Sequence, residues 1–410
     1  MNLCKKLLLS LLLLLSLSQS CFGVTQFVSK INCGTVNCIG TEDYSSLATW
    51  EDATDNAGDL TAADLKVFSH GGITGTMGDG TSVTGLTSGA TGTIIHTTPT
   101  QILIDAISGT FQSGEVVERV ASNNVTISNA GDSAEIVASV YDDDGNLTTT
   151  TVMSGVTANS TNHRTITVPV GERHNGTVAS GTKLSVNDNV ITIVETNLVI
   201  EWLLITGTSN SGSTTRAIGL NTVTNLNPII RNCIIYNYTN AGAGTGEAIG
   251  GAGGGTNSIY NTIIYGVEGA AVGISGGGIT TNCYNCTFYG NSAGIGNGNG
   301  TQVAKNCLSI GNTTDYGAIE SIITSGSGDT TGTLDNLVAA TEFVAPTGGT
   351  LDFHLKSGAQ AINAGTDLGA TGGVQFDIDN RDRDTLNDTW DMGADELVAV
   401  AGARRIIIVN

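Results

Sequence analysis

The sequence predicts an all-β solenoid, a coil of short parallel strands. Two observations predict it. The 410 residues include 56 Gly and 4 Pro, and only 13% are charged, where soluble domains average about 7% Gly and about 25% charge. The second observation is an irregular repeat. Segments 230–237, 260–266, 284–290 and 305–311 each carry a few apolar residues beside a shared Asn. Those residues, Asn232, Asn261, Asn285 and Asn306, lie 29, 24 and 21 apart. A weaker copy, 200–207, precedes them by 30 residues.

Periods of 20 to 50 residues indicate a solenoid or an array. The connectors 243–256 and 295–301 are too short and Gly-rich for a helix, the Leu frame of leucine-rich repeats is missing, and a propeller blade needs about 40 residues. Two or three short strands per turn fit the spacing. Stacked turns place equivalent side chains about 4.8 Å apart, so the Asn column is expected to form a ladder from coil to coil. Cys233, Thr262, Cys286 and Cys307 form the neighbouring column, with buried thiols as packing groups. Cys283 and Cys286 lack the second CxxC or His pair that a zinc site needs. The absence of a Gly-X-Y period excludes collagen, while the composition speaks against a helical bundle and the 40% hydrophobic content against disorder.

Taken in order, the chain opens with Lys5, Lys6, an apolar run 7–17 and the small polar stretch Ser18-Gln19-Ser20. This reads as a signal peptide over 1–23, too short for a membrane span, so secretion is expected. Cleavage fits before Cys21 or after Gly23; Gln19 suits a lipid-anchoring signal at Cys21 poorly. In an exported chain Cys33 and Cys38 are the expected disulfide partners. A net charge of −21 with no Lys/Arg run beyond Lys5-Lys6 and Arg404-Arg405 speaks against a nucleic-acid partner.

Three further segments, with the repeat, resemble the right-handed parallel β-helix proteins of the pectin-lyase-like superfamily, in particular their uncharacterised secreted bacterial members. Residues 43–53 look like the family's capping helix, with Asp43 as N-cap and Leu47, Trp50 and Ala53 plugging the coil. Residues 171–176, 191–193 and 198–200 resemble its first full coils. Residues 353–365 with 391–396 resemble its closing segment. The resemblance implies a fold and leaves chemistry open. The organisation expected is a cap over 24–66, an inserted module over 67–132, the β-helix over 133–345 and the closing segment over 346–410. The insertion is read from the alternation in 80–92, 101–104 and 109–116, which suits short hairpins.

Candidate chemistry is sparse. Lyases of this fold use carboxylates for calcium and an Arg or Lys as base, yet the coils offer only Arg216, Arg231 and Lys305. Glu172, Arg173 and His174 form the best catalytic cluster, with Arg to neutralise a carboxylate and His as base. The alternating oxygens of Asp377, Asp379, Asp382 and Asp384 make calcium the only cofactor candidate, although Arg381 and Arg383 can neutralise them. Tyr236, Tyr265 and Tyr289 recur beside the strands and are candidates for stacking on sugar rings. The expected function is therefore a secreted or cell-surface, non-enzymatic protein with polysaccharide or cell-surface glycan as partner. The alternatives are a polysaccharide lyase or glycoside hydrolase, and a structural surface or virion appendage.

Overall fold

The computed structural model describes residues 24–34, 42–143, 145–221, 225–252, 254–274, 278–296, 300–317, 319–386 and 389–397. The expected signal peptide and Cys38 lie outside them. Two compact units form, one holding Thr61–Glu135 and the other Val28–Leu60 with the chain from Ile136 onward.

The larger unit is a parallel β-helix. Its sheets contain nine, seven and seven strands, and the chain visits them in rotation. Ile229–Arg231 lies in the first sheet, Ile234–Asn240 in the second, Gly246–Gly251 in the third, and Gly255–Tyr260 returns to the first. Successive turns pair in register, with Ile230 on Ile259 and Ile235 on Ile264. Inward columns such as Ile200, Ile230 and Ile259 are fully buried and supply the core.

The corner between the first two sheets explains the repeat. It requires one residue in the left-handed region, and Asn232, Asn261, Asn285 and Asn306 supply it at φ of 52, 49, 52 and 51°. Asn tolerates this conformation better than other side-chain-bearing residues. Thr324 takes the place in the last coil at φ 42°, and Trp202 takes it at φ 66° in the coil before Asn232. The next residue donates to the carbonyl two positions earlier: Cys233 to Arg231 (3.3 Å), Thr262 to Tyr260 (2.8 Å), Cys286 to Tyr284 (3.4 Å), Cys307 to Lys305 (3.4 Å) and Ser325 to Ile323 (2.9 Å). The thiols are thus interchangeable with hydroxyls as donors at this corner.

Only one step of the Asn column is a coil-to-coil amide bond, from Asn285 to Asn261 at 3.1 Å. The amides mainly hold the closing segment. Asn306 donates to the Thr366 carbonyl (2.6 Å), Asn285 to Val374 (2.9 Å), Asn261 to Gly373 (3.2 Å) and Asn232 to Asp377 (2.6 Å). The closing segment therefore does not add a final coil; it runs back along this corner as a strap. It belongs there because the second sheet is apolar on both faces. Leu204, Ile234, Ile263 and Leu308 on its outer face are buried under Phe343, Phe353, Leu355, Ile378 and Met392. Arg383, fully buried, organises the strap by donating to Glu396 (2.8 Å) and to the carbonyls of Gly393 and Ala394 (2.9 Å each).

At the other end, the helix Leu47–Thr54 is capped by Ser46, whose Oγ accepts from Thr49 N at 3.2 Å. Asp43, the expected cap, instead accepts from Lys30 N at 2.7 Å. Leu47 and Trp50 are buried as expected, while Ala53 is half-buried. Beneath the helix, fully buried Arg164 meets Glu195, Asp55 (3.0 Å) and Thr54 Oγ1 (2.9 Å).

The smaller unit holds a closed six-stranded antiparallel barrel: Lys66–Thr74, Ser82–Gly85, Thr91–Thr97, Gln101–Ser108, Val116–Val120 and Asn123–Ile127. Alternating residues fill it, among them Phe68, Ile94, Ile104, Phe111 and Val125. Closure removes the free strand edges that a small sheet would expose. Buried Glu115 ties one turn, accepting from Ser88 N and Oγ at 3.0 Å each.

Candidate functional site

Sequence neighbours Glu172, Arg173 and His174 do not act together. The short 3₁₀ turn Val170–Glu172 sends Glu172 towards Asp142 and Asp143. Its carboxyl is pushed up, first by burial and then by those two charges. His174 is 3% exposed. Its Nε2 donates to the Asn232 carbonyl (2.8 Å) and its Nδ1 accepts from Gly176 N (3.3 Å). Burial pushes its pKa down to about 4, so it is neutral. With both ring nitrogens engaged, His174 is a structural residue and not the expected base.

Arg173 and His174 converge on Trp202, which the sequence reading did not single out. The Arg173 guanidinium carbon lies 4.4 Å from the centroid of the Trp202 ring, and the His174 ring lies 5.6 Å away. Arg173 Nε donates to the Val168 carbonyl at 2.9 Å; among the described residues its two terminal nitrogens have no hydrogen-bond partner. Arg173 lines two clefts, which share it with Trp202 and Asn380. One, of about 180 Å³, is also lined by Glu201 and Arg231; the other, of about 450 Å³, by Val170, His354 and Asp379. A left-handed Trp is costly, by about 1–2 kcal/mol, and such strain gathers at functional positions. The available signal was the weak repeat copy, which carries Trp where the others carry Asn.

The carboxylates expected to bind calcium are spoken for. Asp377 is buried and accepts from Arg381 Nε at 2.7 Å, and Asp379 contacts Arg381 (3.2 Å) and His354 Nε2 (3.2 Å). Asp382 accepts from Asp384 N (3.1 Å), and Asp384 accepts from the Trp390 indole (2.9 Å). The four do not share one ligand point, because Arg381 draws Asp377 and the half-buried Asp379 into an ion-pair network. Within it, burial opposes a charge on His354, but Asp379, Asp395 and Asp352 outweigh burial and lift its pKa to about 9. Cys33 is disulfide-bonded; its expected partner Cys38 lies outside the described residues.

The tyrosine column is covered. Tyr236 and Tyr265 stack at 5.7 Å, and Tyr265 and Tyr289 meet Phe353 of the strap at 5.0 and 5.1 Å. These rings pack between sheet and strap, because the outer face they occupy is the apolar one, and so they do not form the expected sugar-binding face. The bases of the coils are also engaged. Arg216 pairs with Glu247 (2.8 Å), Arg231 pairs with Glu201 (2.7 Å) and donates to Gly372 (2.7 Å), and Lys305 lies over Tyr284 (5.3 Å).

No helix among the described residues is long and apolar enough to cross a membrane. No family model and no curated protein matches the chain. Among solved structures the chain is similar to pectate lyase Pel9A, at 12% identity over 64% of this chain and 88% of that one, with a TM-score of 0.29. The parallel β-helix is therefore read from the strand pairing itself.

Proposed function

We propose that the chain is an exported, non-catalytic glycan-binding protein whose binding point is the cleft over Trp202. One observation carries this reading: a strained Trp packs on Arg173, which lines two clefts and whose terminal nitrogens have no hydrogen-bond partner among the described residues. A planar guanidinium with open donors suits adjacent oxygens on a sugar. Val170, 80% exposed at the rim, and Asn380 add an apolar contact and an amide. Catalysis is the weaker reading because the imidazole and the guanidinium groups that would move protons are each held by a protein partner. Arg173 keeps terminal donors without a hydrogen-bond partner among the described residues, and a group protonated at all working pH is a poor base.

A panel of neutral and acidic polysaccharides tests this with two readouts on the purified chain. The expected outcome is retention on at least one immobilised polymer with no new reducing ends and no unsaturated product. Product formation abolished in Glu172→Ala or His174→Ala would establish an enzyme instead.

A further inference from the structure

We infer that residues 406–409, which lie outside the described residues, close the far end of the coil by adding a strand to the edge strand Ser321–Ile323. A solenoid needs both ends covered. The helix Leu47–Thr54 covers one. At the other end the three sheets finish differently. Gly326–Ser327, last in the second sheet, is bridged by Leu334 from beyond it, and Ser327 N donates to the Leu334 carbonyl at 2.9 Å. Thr314–Tyr316, last in the third, has a polar tip, where Asp315 accepts from Gly328 N at 2.6 Å and from Asp329 N at 3.1 Å. Ser321–Ile323, last in the first, pairs among the described residues only with Thr301–Lys305.

The side chains of this strand are apolar and only partly covered. Ile259, Cys283 and Ala304 form an inward column that is at most 1% exposed, yet Ile322, next in register, is half-buried. Beside it Ile319 is half-buried and Ile323 is 39% exposed. An apolar edge of this kind is a template for a further strand. The same chain carries a matching segment. Ile406, Ile407, Ile408 and Val409 are the β-branched residues that strands favour. They follow Arg404 and Arg405, a basic pair in a chain of net charge −21, and exposed Glu320 directly precedes the edge strand. The reach is short. Leu397, where the described residues stop, donates its N–H to Asp391 at 2.7 Å, and Gly393 N donates to the Asn306 carbonyl at 2.7 Å. Asn306 Oδ1 accepts at 2.7 Å from Thr324, the residue after Ile323. Residues 398–405 extend to about 26 Å, enough to set 406–409 on that edge.

Hydrogen exchange read by mass spectrometry tests this on three forms: the mature chain, the same chain stopped after Leu397, and Ile407→Asp. The mature chain should be a monomer by light scattering, with the amides of both 321–323 and 407–409 protected. Without 398–410, exchange at 319–323 should rise about tenfold or more while 230–310 keeps its rate. Ile407→Asp should move the same amides in the same direction. Cooperative thermal unfolding shows that the variants are folded; should the shortened chain fail to fold, Ile407→Asp decides. Unprotected amides at 406–409, or exchange at 319–323 that neither change alters, overturns the inference. A dimer that shortening converts to a monomer overturns it too, by placing the segment on a second copy. A dimer that survives shortening with 319–323 still protected overturns it as well, because another coil end then covers this edge. The glycan-binding reading at Trp202 stands or falls separately.

Discussion

Asn285 donates its side-chain amide to Asn261 Oδ1 at 3.1 Å, and the same nitrogen reaches the Val374 carbonyl at 2.9 Å. One residue thus joins two coils to each other and to the strap, while its φ of 52° turns the chain between sheets. Substitution separates these roles. Asn285→Gly keeps the turn and loses the bonds, and is expected to lower stability by about 1–3 kcal/mol. Asn285→Ala adds about 1–2 kcal/mol for a left-handed residue with a Cβ. Urea unfolding measures both; equal losses would remove the conformational argument, and no loss would remove the ladder.

Arg383 is the centre of the strap, and its charge is answered by Glu396 at 2.8 Å with both groups fully buried. Arg383→Met leaves that carboxylate buried without its partner, which is expected to cost about 3–5 kcal/mol. Limited proteolysis should then cut within 346–397 while the coil survives. Unchanged resistance would show that the strap is held without this pair.

The pH dependence has a sign that follows from His354. Its pKa in the folded protein, about 9, lies above the ordinary 6.5, so its stabilisation is complete below 6.5 and is lost as pH rises through 9. Glu195, raised to about 7 by burial against the opposing charge of Arg164, stabilises at acid pH and loses that effect by about pH 7. Between pH 7.5 and 9.5 the histidine therefore acts without interference from Glu195. Chemical unfolding in that window should show a fall of about 1–3 kcal/mol in the native chain, and a flatter profile in His354→Gln. Identical slopes would place the titration elsewhere.

The four described free thiols, Cys233, Cys283, Cys286 and Cys307, are at most 1% exposed. Burial pushes the Cys233 thiol up to about 12. A thiol-reactive chromophore should leave all four unmodified in the native chain and label all four in denaturant. Cys286→Ser should stay within about 1 kcal/mol of wild type, since Thr262 and Ser325 already make the same bond by hydroxyl. Rapid native labelling of these positions would contradict the corner as described.

The coil was legible because the corner takes a left-handed residue in each turn from Trp202 to Thr324 and Asn recurs there. The strap's position was not legible. Outward Leu204, Ile234 and Ile263 read as ordinary core residues, and nothing local tells an inner face from a covered outer one. The same concealment made Tyr236, Tyr265 and Tyr289 look open. The grouping at Trp202 depends on residues far apart in sequence, with His174 bonded to Asn232 and His354 to Asp379. Proximity in sequence suggested Glu172 as the third member; a single 3₁₀ turn sends it elsewhere.

The account's central claim is that Trp202 occupies a corner built for Asn in order to hold Arg173 at a binding cleft. Titration calorimetry of wild type and Trp202→Asn, with the glycan the native chain binds best, tests this most directly. The account predicts a loss of about tenfold or more in affinity in a variant that still unfolds cooperatively. Undiminished affinity in Trp202→Asn would contradict it.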